Sequence, residues 1–317
     1  MEAIDNLEYI KKTLQLNPTE VFRVWEQLLE EFYPKNNIFQ SPTDLWLCAR
    51  GDIPIGLVAH ADTVWPQMPR EFFYCESTNA LWSPTGLGAD DRAGLIAILT
   101  LLQRGLRPHI IITNEEEAGG MGAFDLAMDT CPFHNLHFLI ELDRMGRDDM
   151  VFYSCTNRKF TKYIGKFGFK LNWGTFTDIS RLCPSWNVAG VNLSVGYYHE
   201  HTHQEVWYLN ETKATIDKVE QILRAPSRKY VYGQREQYRR CGHCHAPVTA
   251  DDTLMIQHSD KTKTEYCIHC LPTDKGIEIC TACGSLFFTE NKVDRPICYS
   301  CKEKEKQWQK ARLQNKK

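Results

Sequence analysis

Four Cys-x-x-Cys pairs crowd into the last quarter of the chain: Cys241/Cys244, Cys267/Cys270, Cys280/Cys283 and Cys298/Cys301. No other feature limits the fold as severely, because a segment of about 60 residues with so little apolar content cannot bury a core large enough to fold without metal. Thiols paired at this spacing form knuckles, each supplying half of a tetrahedral zinc site. A disulfide framework would call for a secretory start, whereas Met-Glu-Ala-Ile-Asp-Asn is acidic and has no apolar core. A reducing, cytoplasmic setting and two structural Zn²⁺ ions are therefore expected. The first two pairs are separated by 22 residues and the last two by 14. Two sequential four-cysteine ribbons fit these gaps, an interleaved cross-brace uses the same eight cysteines, and His243, His245 or His269 could each replace a thiolate. The other five cysteines, Cys48, Cys75, Cys131, Cys155 and Cys183, are scattered singly.

Charge divides the chain at nearly the same place. From Arg228 onward there are 17 Lys and Arg against 11 Asp and Glu, whereas residues 1–227 hold 20 against 29. An acidic body joined to a basic, cysteine-rich end is expected to be two modules rather than one core. The expected organisation is a body over 1–225, a polar and basic linker over 226–240, a double four-cysteine zinc-ribbon module over 241–301 and a charged tail over 302–317.

Residues 3–33 read as two helices that meet at Asn17-Pro18-Thr19-Glu20, where proline suits a first turn and Asn17 or Thr19 could cap. Val21, Val24, Trp25, Leu28, Leu29 and Phe32 recur at helical spacing and define one buried face. Beyond them come short apolar runs with the look of buried strands: Leu45–Ala49, Ile55–Ala59, His109–Thr113, Leu136–Leu142, Val151–Cys155 and Val188–Val195. Helices over Gly94–Arg104, Met121–Met128 and Thr212–Arg224 alternate with them. This order predicts an α/β architecture, a mixed and mostly parallel sheet flanked by helices. No run approaches the roughly 18 apolar residues that a membrane span needs, so no membrane partner is expected.

The chemistry sits where those strands end. Gly56-Leu-Val-Ala-His60-Ala-Asp62 carries a strand into a His-x-Asp, placing the imidazole at the carboxyl edge of the sheet, where α/β folds build their sites. Asp62 points the same way and could hold the second ring nitrogen of His60, fixing the tautomer a metal ligand needs. Gly86-Leu-Gly-Ala-Asp90-Asp91 turns tightly into a helix and offers Asp90 as a bridge between two ions. Three glutamates, Glu115, Glu116 and Glu117, follow the strand ending at Thr113 and precede Gly119-Gly120-Met-Gly122-Ala123. Adjacent glutamates can supply one metal ligand and one proton acceptor. Strand alternation sets Glu141 and Asp143 on one face, where each needs a metal, an arginine or solvent. Last, His199-Glu-His201-Thr-His203-Gln-Glu205 offers three histidines around one position. Singly, these motifs also read as a satisfied His-Asp pair, an acidic helix cap or a solvated loop. Together they place His, Asp, Glu-Glu, Asp and His in order, each at the end of an expected strand or in the loop beyond it, the pattern of a dinuclear metal site.

These five segments, over roughly residues 50–225, resemble those of the co-catalytic zinc exopeptidase superfamily, which includes carboxypeptidase G-like, tripeptidase-like and leucyl-aminopeptidase-like hydrolases. The resemblance implies a zinc-binding His60 supported by Asp62, and a bridging Asp90 that precedes a cis peptide. Its Glu-Glu-x-Gly-x-x-Gly-Ala pattern aligns on Gly119, Gly122 and Ala123, which implies Glu116 as general base and Glu117 as ligand. Its closing His-Ser/Thr-x-x-Glu pattern selects His201 over His199 and His203. One Zn²⁺ would then take His60, Asp90 and Asp143, and the other Asp90, Glu117 and His201. Only 29 residues separate His60 from Asp90 and 57 separate Asp143 from His201, so neither gap holds the lid or dimerisation domain of many relatives.

The activity expected from this resemblance is zinc-dependent hydrolysis of peptide bonds, acting at a chain end as an exopeptidase does. A deacylase acting on small N-acyl amides is the alternative on the same site. A ribbon-led binding protein with a vestigial hydrolase domain is the alternative of another class, because the basic cysteine module with Arg239-Arg240 suits an acidic protein or nucleic acid.

Overall fold

The structure is a computed structural model of the 317-residue chain. It describes residues 1–233, 239–242, 244, 247–248, 253–260, 262–267, 270, 276–282, 285–289 and 296–303. Cys283, His243, His245, His269 and most of the expected charged tail lie outside the described residues. The chain divides into two compact units, Met1–Gln234 and Arg235–Lys317.

The first unit opens with two helices, α1 (Leu7–Leu14) and α2 (Pro18–Phe32). Asn17 starts α2 because its side chain accepts the Glu20 N–H at 3.0 Å while the Glu20 carboxylate accepts the Asn17 N–H at 2.9 Å. Strands β1 (Ile38–Gln40), β2 (Trp46–Ala49), β3 (Ile53–His60), β4 (Phe73–Cys75) and β5 (Ala80–Trp82) follow. Next come α3 (Ala89–Gln103), β6 (Pro108–Thr113), α4 (Met121–Met128), β7 (Phe138–Arg144) and β8 (Asp149–Val151). The unit continues with α5 (Arg158–Gly165), β9 (Lys170–Leu171), α6 (Ile179–Trp186), β10 (Ala189–Ser194), β11 (Tyr197–Tyr198), β12 (Val206–Tyr208) and α7 (Leu209–Arg224).

Eight strands form the main sheet in the order β1-β2-β6-β3-β7-β10-β8-β9. Its centre, β6-β3-β7-β10, is parallel throughout, while β2, β1 and β8 join antiparallel. Buried on both faces, the central strands are the continuous apolar runs seen in the sequence, since neither face meets water. Being parallel, they bring their carboxyl ends to one edge: His60 sits opposite Thr113, and Val58 opposite Glu141. A second, antiparallel sheet has the order β11-β12-β5-β4.

Helix α3 is buried along nearly its whole length and packs against β3, β7 and α7. It starts at Ala89, five residues before the expected helix over 94–104, but Asp90 and Asp91 within its first turn are not helical. Gly94 permits the close approach to β7, because a Cβ there would lie 2.2 Å from the Leu142 carbonyl oxygen. The strand expected over 151–155 instead occupies Asp149–Val151, because the chain turns through Tyr153 at φ +46° and Ser154 at φ +67°. Within the stretch expected to be a linker, Tyr230 is 7% exposed and bonds through its backbone to Ala189 and His137, on the first unit.

The second unit contains the pair β13 (Arg239–Arg240) and β14 (Pro247–Val248). A four-stranded sheet of β15 (Thr253–Gln257), β16 (Lys263–Cys267), β17 (Gly276–Ile279) and β18 (Leu286–Thr289) accompanies it, in the order β16-β15-β18-β17. Its described core holds Phe287 with Cys280 and Cys298, so sulfur occupies the place that aliphatic side chains take in a larger domain.

Candidate metal centre

Two groups of side chains meet at the carboxyl edge of the parallel strands, His60 with Asp90 and Asp143, and Asp90 with Glu117 and His201. β3 supplies His60, the turn into α3 supplies Asp90, the loop after β6 supplies Glu117, β7 supplies Asp143 and the loop after β11 supplies His201. His60 Nε2 lies 3.0 Å from Asp90 Oδ1 and 3.4 Å from Asp143 Oδ1. His201 Nε2 lies 2.9 Å from Glu117 Oε1 and 3.2 Å from Asp90 Oδ2. Asp90 therefore turns one oxygen to each group, as a bridging carboxylate must. The Asp90–Asp91 peptide is cis.

The donor set fits zinc. Ligand atoms held about 2.0–2.1 Å from one tetrahedral ion lie about 3.3 Å from each other, close to the separations here, and imidazole with carboxylate is a common zinc set. The surrounding charge argues the same way. Burial and the neighbouring Asp90 push the Asp143 carboxyl up to about 7. Burial opposes protonation of His60, yet Asp143, Asp62 and Asp90 together hold its imidazole well above the usual range. Hydrogen bonds to Asp90 and Glu117 raise His201 to about 11. Among the described residues no Lys or Arg forms an ion pair with Asp90, Glu117 or Asp143; the buried Arg92 donates to the carbonyls of Ala61 and Leu16 and lends its charge to Asp62 and Asp91. A dication is the alternative counter-charge.

Other side chains fix the ligands. Asp62 Oδ1 faces His60 Nδ1 at 3.3 Å, without hydrogen-bond geometry. The two Asp62 oxygens accept the Glu116 and Glu117 N–H groups, each at 3.1 Å. Asp62 thus ties the glutamate loop to the histidine strand. Burial raises its carboxyl, but His60 and the two N–H donors outweigh that and leave it below its ordinary value. Glu116 is raised to about 9, first by burial and then by the charges of Asp143, Asp178 and Asp90, which outweigh the opposing effect of His60.

The structure also brings in Tyr197, Thr177 and Asn192, which the sequence did not mark, and gives roles to Asp91 and Glu205, which lie in its motifs without one. Tyr197 Oη donates to Asp143 Oδ1 at 3.0 Å and Thr177 Oγ1 to Asp143 Oδ2 at 3.1 Å. Asn192 Oδ1 accepts the Asp143 N–H at 3.0 Å. Asp91 accepts the His60 N–H at 3.2 Å and the Gly94 N–H at 2.9 Å. Glu205 is 1% exposed and accepts the Asp90 N–H at 3.1 Å. Distance in sequence hid Tyr197, Thr177 and Asn192, which reach Asp143 from segments 34–54 residues along the chain. Glu141 belongs to neither ligand group and has no ion pair with arginine among the described residues; it accepts the Asp178 N–H at 3.1 Å and, through burial and the nearby Asp178, keeps its proton far above the usual range. Glu115, His199 and His203 are exposed and belong to neither ligand group.

In the second unit Cys241, Cys244, Cys267 and Cys270 form one group, and Cys280, Cys298 and Cys301 form another. The grouping is sequential, not interleaved.

No known family profile and no curated protein matches this sequence. Solved structures do resemble it. The aminopeptidase PepT of Bacillus cereus aligns with a TM-score of 0.55 at 14% identity, covering 68% of this chain and 96% of that one. A tripeptidase of Staphylococcus aureus gives 0.54 at 14% identity over 68% and 96%. The TET1 peptidase of Pyrococcus horikoshii gives 0.52 at 14% identity over 68% and 98%. Identity this low speaks for fold alone. The mixed, mostly parallel sheet of this chain and its flanking helices are the fold of these aminopeptidases and tripeptidases.

Proposed function

We propose that the first unit is a zinc-dependent hydrolase of peptide bonds that removes residues from a chain end. The observation that carries this reading is Asp90, whose two carboxylate oxygens face His60 and His201 at 3.0 and 3.2 Å, with Glu116 beside them on the loop that supplies Glu117. One ion would be held by His60, Asp90 and Asp143, the other by Asp90, Glu117 and His201. A zinc pair supplies Lewis acidity for a carbonyl oxygen and brings water toward ionisation at neutral pH.

The chain's own groups do the rest. Glu116 accepts the proton of the attacking water at its carboxylate and passes it to the nitrogen of the departing amine. To do so it must be ionised; burial first, and then the charges of Asp143, Asp178 and Asp90, raise it to about 9, and a positive charge held by those acids would offset the second of these effects. Asp62 keeps Glu116 and Glu117 in place through their backbone N–H groups. The cysteine groups of the second unit would hold two further Zn²⁺ ions in a structural role. Peptidases of similar fold support a peptide substrate over a small N-acyl amide.

The test is mass-spectrometric digestion of a mixed peptide library with Zn²⁺ or Co²⁺, comparing wild type with Glu116→Gln. Wild type is expected to shorten peptides from one end, and Glu116→Gln to keep its metal while losing about 10²–10⁴-fold in rate. An intact library after incubation with wild-type protein would overturn the peptidase reading.

A further inference from the structure

We propose that Glu205 is the positioning residue of the Asp90–Glu117–His201 half of the centre and that it sets how firmly an ion is held there; this rests on the two-ion reading above. The two halves are built differently. His60 and Asp143 come from central strands, with side chains 1% and 8% exposed. His201 comes from an exposed loop, with its side chain 48% exposed and its backbone in the left-handed region at φ +61°. Hydrogen bonds within that loop are local. Thr202 Oγ1 donates to the His199 carbonyl at 2.7 Å and accepts the Gln204 N–H at 3.2 Å, and the Glu205 N–H donates to the Thr202 carbonyl at 3.0 Å.

Glu205 is where this loop enters the protein. Its Oε1 accepts the Asp90 N–H at 3.1 Å. Its Oε2 accepts the Gly88 N–H at 2.7 Å, the Leu87 N–H at 3.2 Å and the Trp65 indole N–H at 3.3 Å. Four N–H donors on one buried carboxylate are a strong, directional anchor. The same side chain fixes the loop that carries His201 and the peptide that carries Asp90, so it sets the approach of Asp90 Oδ2 to His201 Nε2. Glutamine is close to glutamate in shape but replaces one acceptor oxygen with an NH2 group that must face N–H donors. Loss of Glu205 therefore loosens Asp90, which both halves share, and also the loop of His201, so the exposed half is weakened more than the strand-borne half.

The test is metal content per full-length chain after dialysis against zinc buffers of graded free concentration, which reads occupancy without stripping the cysteine groups. Glu205→Gln is expected to move the last-filling step to about 10–100-fold higher free Zn²⁺, the usual effect of removing a group that orients a ligand. His201→Ala is expected to affect that same step, Glu205→Asp to fall between wild type and Glu205→Gln, and melting to stay cooperative. Filling of Glu205→Gln at the wild-type concentration would overturn the assignment. So would loss of both ions together with the fold in Glu205→Gln, if Glu205→Asp fills as wild type does. A wild-type chain that takes up no second ion removes the two-ion reading itself. A chain that takes up both ions, with its last step moved by Glu205→Gln, but cleaves no peptide keeps the role of Glu205 and loses only the proposed reaction.

Discussion

Asp62 and His109 show two different uses of a buried polar side chain. Asp62 spends both oxygens on the N–H groups of Glu116 and Glu117. Asp62→Ala frees that loop, and a drop in kcat/KM of at least about 10–100-fold is expected in steady-state peptide hydrolysis; unchanged kcat/KM would show that the loop holds itself. His109 accepts the Gly51 N–H at 3.1 Å, stacks on Phe133 at 4.5 Å, and is pushed down to about 4, chiefly by burial. Its folded value is below the usual 6.5, so the unfolded chain binds more protons between these values and stability falls as pH drops from about 6.5 to about 4. The loss is on the order of 3 kcal/mol. NMR of the His109 ring is expected to show a neutral imidazole down to about pH 5; a midpoint near 6.5 would contradict this. The residues legible in the sequence were those with two signatures at once, a reactive side chain and either a strand end, as in His60, Glu117 and Asp143, or a glycine-rich turn, as in Asp90. Tyr197, Thr177 and Asn192 carry no such mark, because their value lies only in what folding places beside Asp143.

The elements divide along similar lines. Long apolar runs were readable as β3, β6, β7 and β10, and α4 falls on the expected bounds, because each buries a repeating pattern. The second sheet was not readable: β4, β5, β11 and β12 are two or three residues long, too short for any period to show. Helix α6 was missed as well, because Pro184 lies inside it and reads as a helix breaker. A close contact beside the site is between α3 and β7 at Gly94, where a Cβ would meet the Leu142 carbonyl and the Asp91 carboxylate. Gly94→Ala is expected to destabilise the unit by at least about 1–3 kcal/mol in urea unfolding, since backbone cannot repack around the methyl. A variant as stable as wild type would mean that α3 moves freely against the sheet, and that Asp90 is not held by this packing.

For the whole molecule, the cysteine pattern and the charge split both announced two modules, and the described contacts divide after Gln234. The units differ in what holds them together. The first buries a large apolar core around α3, whereas the described core of the second is a few aromatics among cysteines. A strong chelator at neutral pH is therefore expected to abolish one of two calorimetric unfolding transitions, that of the second unit, and to leave the other in place. Loss of neither transition would show that the second unit folds without metal. The most direct test of the two-ion centre is anomalous diffraction at the zinc edge from crystals of the full-length chain grown with Zn²⁺. Two peaks about 3.5–4 Å apart are expected, with Asp90 between them, His60 and Asp143 on one side, and Glu117 and His201 on the other. A map with zinc at the cysteines but none at these residues, or with a single ion there that Asp90 does not share, would contradict it.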